Sequence, residues 1–217
     1  DVTEGQSAMG LFAVQGTPTG QSYDGYTMEV TTKDMTSPKW TLSLPALNGS
    51  GSDIAVAALK NDFQADASFN VQFVRPVAKV NITADFTGSI NNLDNVKDIA
   101  IILEDHYTKC QFADISSITY STIKDLKFSA SVTQMPDDKK VKVAEDRFVL
   151  PHAGNYTPYI SVTVTFKNGK TKTARLSYST SIEANKVYDL TFVTAITDVE
   201  GSFTVDVVEV VHDEIEF

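Results

Sequence analysis

Residues 159–178 read YISVTVTFKNGKTKTARLSY, and this stretch sets the fold class. Ile160, Val162, Val164 and Phe166 alternate with Ser161, Thr163 and Thr165. Successive side chains of a strand point to opposite faces, so the pattern describes a strand with one apolar and one hydroxyl-bearing face. Asn168-Gly169 follows, a dipeptide that tolerates positive φ at both central positions of a type I′ turn. Ala174, Leu176 and Tyr178 then resume the apolar phase. The stretch predicts a β-hairpin with Ile160, Val162, Val164 and Phe166 inward, opposed by Leu176 and Tyr178.

Similar period-two segments recur along the chain. They predict strands at 9–14, 26–32, 39–44, 53–59, 98–104, 126–133, 146–150, 187–194 and 203–211. DIAIILE (98–104) is apolar at every other position and in between, the pattern of a central strand covered on both faces. NGSGSD (48–53), TGSINNLDN (87–95) and MPDDKK (135–140) read as loops, with a short helical turn expected near Leu93 and Val96. No segment sustains helical periodicity, and no repeat is visible. Many short strands with turns every ten or so residues define an all-β protein of sandwich type.

FNVQFVRPVAKVNITADF (69–86) shows where the chain divides. Phe69, Val71 and Phe73 occupy odd positions, whereas Ala78, Val80 and Ile82 occupy even ones. A phase change across Val74-Arg75-Pro76 means that the chain switches face or sheet there. Proline has no ladder donor, which places Pro76 at a bulge, a strand start or an edge. Arg75 and Pro76 therefore mark the expected junction between a short N-terminal β module (1–68) and a C-terminal β-sandwich domain (69–195), followed by an acidic strand or tail (196–217).

The charge of −10 is unevenly spread over the 217 residues. Residues 1–68 hold 8 acids and 3 bases, residues 69–195 hold 13 and 15, and residues 196–217 hold 7 and none. A nucleic-acid partner needs clustered Lys and Arg, which this balance argues against. An acidic tail beyond a weakly basic body is suited to pairing with that body, or with the body of a neighbouring copy. The lone Cys110 excludes an internal disulfide framework and reads as a small buried residue after an apolar run. No run of 18 apolar residues suggests a membrane-spanning helix. The opening DVTEGQSAMGLFAVQG has neither a basic start nor an apolar segment of signal-peptide type.

Catalytic motifs fail on their context. STIK (121–124) matches the Ser-x-x-Lys of penicillin-recognising enzymes, but it lies between β-type segments without Ser-Asp-Asn or Lys-Thr-Gly partners. EDH (104–106) reads as a solvated turn; within a strand, Glu104 and His106 would share a face, and His152 and His212 have no ligand-spaced neighbours. NNLDNVKD lacks the mid-loop Gly and terminal Glu of an EF-hand. NGSGSD is not followed by a helix or a Lys-Ser/Thr pair, so it is no phosphate loop. The expectation is a protein that is not an enzyme and uses no cofactor and no metal.

VAKVNI (77–82), entered through Arg75, resembles the domain-entry strand of the fimbrillin-like subunits of Bacteroidetes fimbriae. RFVLPHAGNYTPYISVTVTF followed by SIEANKVYDLTFV resembles the late part of that family's second domain, with Asn185, Lys186, Tyr188 and Leu190 leading into a core strand. MGLFAVQG and KWTLSLPAL resemble fragments of its first domain. The resemblance implies tandem transthyretin-like β-sandwich modules, the first short, exported as a lipoprotein to the outer membrane, cell surface or fimbrium. It further implies partnership with other fimbrial subunits by strand exchange. The lipid anchor would lie outside this chain, which carries no lipidation cysteine and no evident strand before MGLFAV. Host protein or glycan ligands are the other expected partners.

Two sets of residues follow as candidates. In GSFTVDVVEVVHDEIEF, Phe203, Val205, Val207, Val208 and Val210 give a β-prone segment, suited either to closing its own sheet or to filling another subunit's groove. Tyr23, Tyr26, Trp40, Tyr156 and Tyr159 are the aromatics of a rival reading, an outer-membrane carbohydrate-binding lipoprotein. The plainer account has Trp40 inward beside Leu42 and Leu44, with the tyrosines covering sandwich ends.

Overall fold

The computed structural model describes residues 9–16, 27–30, 40–43, 54–61, 74–89, 93–112, 118–154, 158–178, 181–197 and 203–212. Strands β1 (Met9–Gly16), β2 (Thr27–Val30), β3 (Trp40–Ser43) and β4 (Ile54–Asn61) precede β5 (Ala78–Asp85) and the long β6 (Val96–Phe112). Then come β7 (Thr119–Ser131), β8 (Lys140–Val149), β9 (Tyr159–Phe166), β10 (Thr171–Ser177), β11 (Val187–Ile196) and β12 (Phe203–His212). The helical content of the described residues is one 3-10 turn, Leu93–Asn95.

β1 and β4 form a two-stranded antiparallel ribbon. A six-stranded sheet runs β10-β9-β6-β3-β2, with β7 along the other side of β6. A four-stranded sheet runs β12-β11-β5-β8. Its β5–β11 pair is parallel, while β12 and β8 run antiparallel to their neighbours.

The core lies between these two larger sheets. Ala78, Val80, Ile82 and Ala84 of β5 meet Ile99, Ile101 and Leu103 of β6, Val162, Val164 and Phe166 of β9, and Leu190 and Phe192 of β11. Lys79, Asn81 and Thr83 take the opposite face of β5, the alternation read from sequence. In β6, Ile99, Ile101 and Leu103 are buried while Ala100 and Ile102 are half-buried, so only one face is fully covered, not both.

The Asn168-Gly169 hairpin pairs Leu176 with Ile160 and Ala174 with Val162. Its turn differs from the type I′ expectation. Gly169 has φ 83°, whereas Asn168 keeps a negative φ and its side chain accepts from the Lys170 N–H at 3.0 Å. The Phe166 carbonyl accepts from Gly169 N, and the Lys170 carbonyl from Phe166 N, each at 2.9 Å. A three-residue loop with only its last residue left-handed needs the glycine alone. Tyr178, just past β10, is buried.

Pro76 directly precedes β5, and Arg75, Pro76 and Val77 are all buried. Residues 69–73 lie outside the described residues, so the phase change ahead of the proline does too.

Candidate functional site

β12 closes one end of the four-stranded sheet. It is registered on β11 from Ile196↔Phe203 to Val187↔His212. Phe203, Val205 and Val207 are half-buried and pack against the core. Val208 and Val210 are 53% and 50% exposed, and Val211 is 38% exposed. These three are a majority of the five large apolar side chains exposed among the described residues. The structure thus separates the five candidate tail residues into an inward set, Phe203, Val205 and Val207, and an outward pair, Val208 and Val210.

The backbone of β12 points alternately to β11 and away from the sheet. The Val207 N–H donates to the Asp206 carboxylate at 2.9 Å, which marks Val207 as a residue whose donor faces away from β11. An edge donor capped by a side chain is one way a sheet end resists unwanted pairing. Asp206, with its side chain exposed, supplies both the cap and a negative charge on the outward face.

At the other end of the sheet, β8 carries Lys140 and Lys142 outward and Val141 and Val143 inward. Lys140 pairs with Asp85 at 3.5 Å, and Lys142 with Glu145. Beyond Lys142 the β5–β8 register shifts, leaving Val143 without a partner on β5, and Asp146 adopts φ 50°, so the regular part of this edge is short.

EDH (104–106) is strand and not turn, a correction to the sequence reading. Asp105 has φ 59°, and the β6–β7 register slips between Leu103 and His106. A bulge adds one residue and reverses the facing beyond it. Glu104, next to inward-facing Leu103, keeps the outward side, where its carboxylate accepts from Arg175 Nε at 2.9 Å and from Ser161 Oγ at 2.8 Å. Arg175 holds the Glu104 carboxyl below its ordinary range. His106 instead turns inward and is 2% exposed, so the two do not share a face.

The bulge sits in the gap where β6 exchanges one neighbour for another. β9 ends at Leu103↔Ile160 and β3 begins at Lys109↔Ser43, on the same side of β6. Residues 151–153 fill that gap: the Pro151 carbonyl accepts from Tyr107 N at 3.1 Å, and Ala153 N donates to the Asp105 carbonyl at 2.8 Å. His106 and His152 bridge there and their rings meet edge to face at 5.5 Å. His106 Nδ1 lies 3.0 Å from the Leu150 carbonyl, and burial pushes its pKa down to about 4. Among the described residues no group of three or more metal-ligand side chains gathers here or elsewhere.

The aromatics of the rival reading are not brought together among the described residues. Tyr23, Tyr26 and Tyr156 lie outside them, and of Trp40 the structure describes the backbone, at the start of β3 opposite Phe112. Tyr159 is 38% exposed, but the Arg175 guanidinium stands 3.8 Å over its ring and takes one face. STIK lies wholly within β7, with Thr122 at φ 59° and its carbonyl accepting from Thr108 Oγ1 at 2.9 Å.

Asn185, Lys186, Tyr188 and Leu190 have a clear local role. Asn185 adopts φ 61° and donates its N–H to Val77 O at 2.8 Å, and Lys79 N donates to Lys186 O at 2.9 Å. The left-handed asparagine turns the chain into register with β5, Tyr188 and Leu190 are buried, and the Tyr188 hydroxyl accepts from Glu183 N at 2.8 Å.

No family model and no curated protein matches the sequence. Solved structures similar to it include a fimbrial protein from Bacteroides vulgatus, at 12% identity and TM-score 0.43, covering 91% of this chain and 75% of that one. A candidate adhesin from Bacteroides thetaiotaomicron has 9% identity and TM-score 0.47, covering 95% and 77%. A candidate cell adhesion protein from Bacteroides uniformis has 17% identity and TM-score 0.46, covering 81% and 72%. At such scores the likeness is one of broad architecture.

Proposed function

We propose that this chain is a non-enzymatic structural or adhesion protein of the cell surface, a fimbrial subunit or fimbria-associated adhesin, that assembles through β-strand pairing. The observation that carries this reading is β12: a sheet-end strand with outward valines and an acidic face, whose edge donor is held by its own aspartate. Exposed edge strands of this kind are pairing templates, and proteins that keep them usually use or guard them. Tandem transthyretin-like modules, joined where the chain passes Arg75 and Pro76, are part of the same proposal, as are export and a lipid anchor supplied outside this chain. Other subunits are the expected partners, with a host protein or glycan as further ligand.

β12 can close its own sheet, or leave it and enter a groove in another subunit. Deleting residues 202–217 separates these uses. A strand needed for folding makes the truncated protein melt many degrees lower; a donated strand leaves the melting temperature nearly unchanged while assembly of the chain is lost. A large drop in melting temperature, together with full-length protein that never self-associates even after N-terminal trimming, would falsify the donor-strand use.

A further inference from the structure

We propose that β12 of one copy pairs in place with β8 of the next, so that the four-stranded sheet continues from copy to copy. This rests on the reading that β12 is an assembly strand, and it names that strand's partner as a second copy of this chain.

The two strands are the two ends of one sheet. β12 is antiparallel to β11, β11 is parallel to β5, and β5 is antiparallel to β8, so β12 and β8 run in the same direction. A copy displaced along the sheet and turned to continue its twist therefore presents β8 parallel to β12. Their patterns match. Val205 and Val207 lean inward on β12, as Val141 and Val143 do on β8. Outward, Asp206 on β12 answers the exposed Lys140 and Lys142 on β8.

Setting residues 204–207 beside 140–143 continues the core between the same faces and puts Asp206 next to Lys142. The lysine then takes the Asp206 carboxylate, and a backbone carbonyl of β8 takes the Val207 N–H that the carboxylate now caps. Val208, outward on the same strand as Asp206, gains cover from the lysine's aliphatic stem. Self-pairing of two β12 strands is the less favoured alternative, because residues 196–217 hold 7 acids and no base.

A contact between two different patches does not close on itself, so the product is an open, growing row. The regular part of β8 ends at Lys142, which makes each contact small and weak, and the row forms only at high protein concentration.

Charge reversal tests this directly, because both side chains are exposed and melting curves verify that each variant folds. Sedimentation of the full chain at rising concentration should show open-ended association that weakens at high salt. Asp206→Lys alone and Lys142→Glu alone should each reduce it severalfold. An equimolar mixture of the two should restore it, because each variant's altered strand now meets a complementary one. If Asp206→Lys abolishes association while Lys142→Glu does not, and mixing restores nothing, β8 is the wrong partner and the assembly role of β12 survives. If neither change matters, or the wild type stays monomeric or stops at a closed dimer, the continuous sheet is wrong.

Discussion

Val164 has no exposed surface and sits at the centre of the core, while Thr163 beside it faces out, its hydroxyl 2.9 Å from that of Thr173. Val164→Asp buries a charge without a partner and should cost roughly 3–5 kcal/mol in denaturant unfolding. Thr163→Lys should stay within about 0.5 kcal/mol of wild type; equal tolerance of both would reverse the facing of β9. His106 is the residue that ties stability to acidity. Its folded pKa of about 4 lies below the ordinary 6.5, so the unfolded chain takes up a proton first as pH falls. The contribution is complete above 6.5 and is lost between 6.5 and 4, a change of roughly 3 kcal/mol. Melting temperatures across that window should decline in the wild type and decline less in His106→Gln. Cys110 should be silent: burial pushes its thiol up to about 12, so the folded protein should not react with a disulfide reagent at pH 8 until it is unfolded.

At the scale of the element, β7 holds a residue in a conformation that strands do not favour. Thr122 has φ 59°, where a β-branched side chain crowds its own backbone. In an ordinary strand alanine is preferred over glycine; here Thr122→Gly should exceed Thr122→Ala by about 1 kcal/mol, and the reverse order would mean that position 122 is extended. Many strands were legible in the sequence because period two is a local signal: the hairpin, the inward face of β5 and the starts of β11 and β12 follow from it, whereas β7 and β8 begin at Thr119 and Lys140, ahead of the expected 126 and 146. A circular dichroism spectrum should accordingly lack strong helical minima. The long reach of β6 was not legible. A bulge at Asp105 inverts the side on which His106 falls and leaves that of Glu104 unchanged, and acidic, polar residues at an inversion look like a turn. Nor does any local signal tell Asn168 to stay right-handed, since Gly169 alone satisfies the loop. As for the site, the valines of β12 could be named in advance, but not which of them face out or that Asp206 caps Val207, because both depend on the strand being last in its sheet.

For the whole molecule, the parallel pairing of β5 with β11 has a kinetic consequence. Asn81 donates to Asp189 across 108 residues of sequence, at 2.7 Å, and the strands are registered from Lys79↔Val187 to Asp85↔Val193. β5 thus lacks its central neighbour until nearly the whole chain has been made. Contacts this distant in sequence carry a large loop-closure cost before they give any return, which places such folds among the slow two-state folders. A growing chain can assemble the hairpin of β9 and β10 and set β8 on β5 early, yet must keep the other edge of VAKVNI open, a short β-prone run exposed to wrong pairing. Refolding from denaturant should show its main phase in milliseconds to seconds, and chains ending before Val187 should aggregate rather than fold. Late closure leaves β5 with β8 as its sheet neighbour for most of synthesis, and the arrival of β11 is the event that locks the four-stranded sheet.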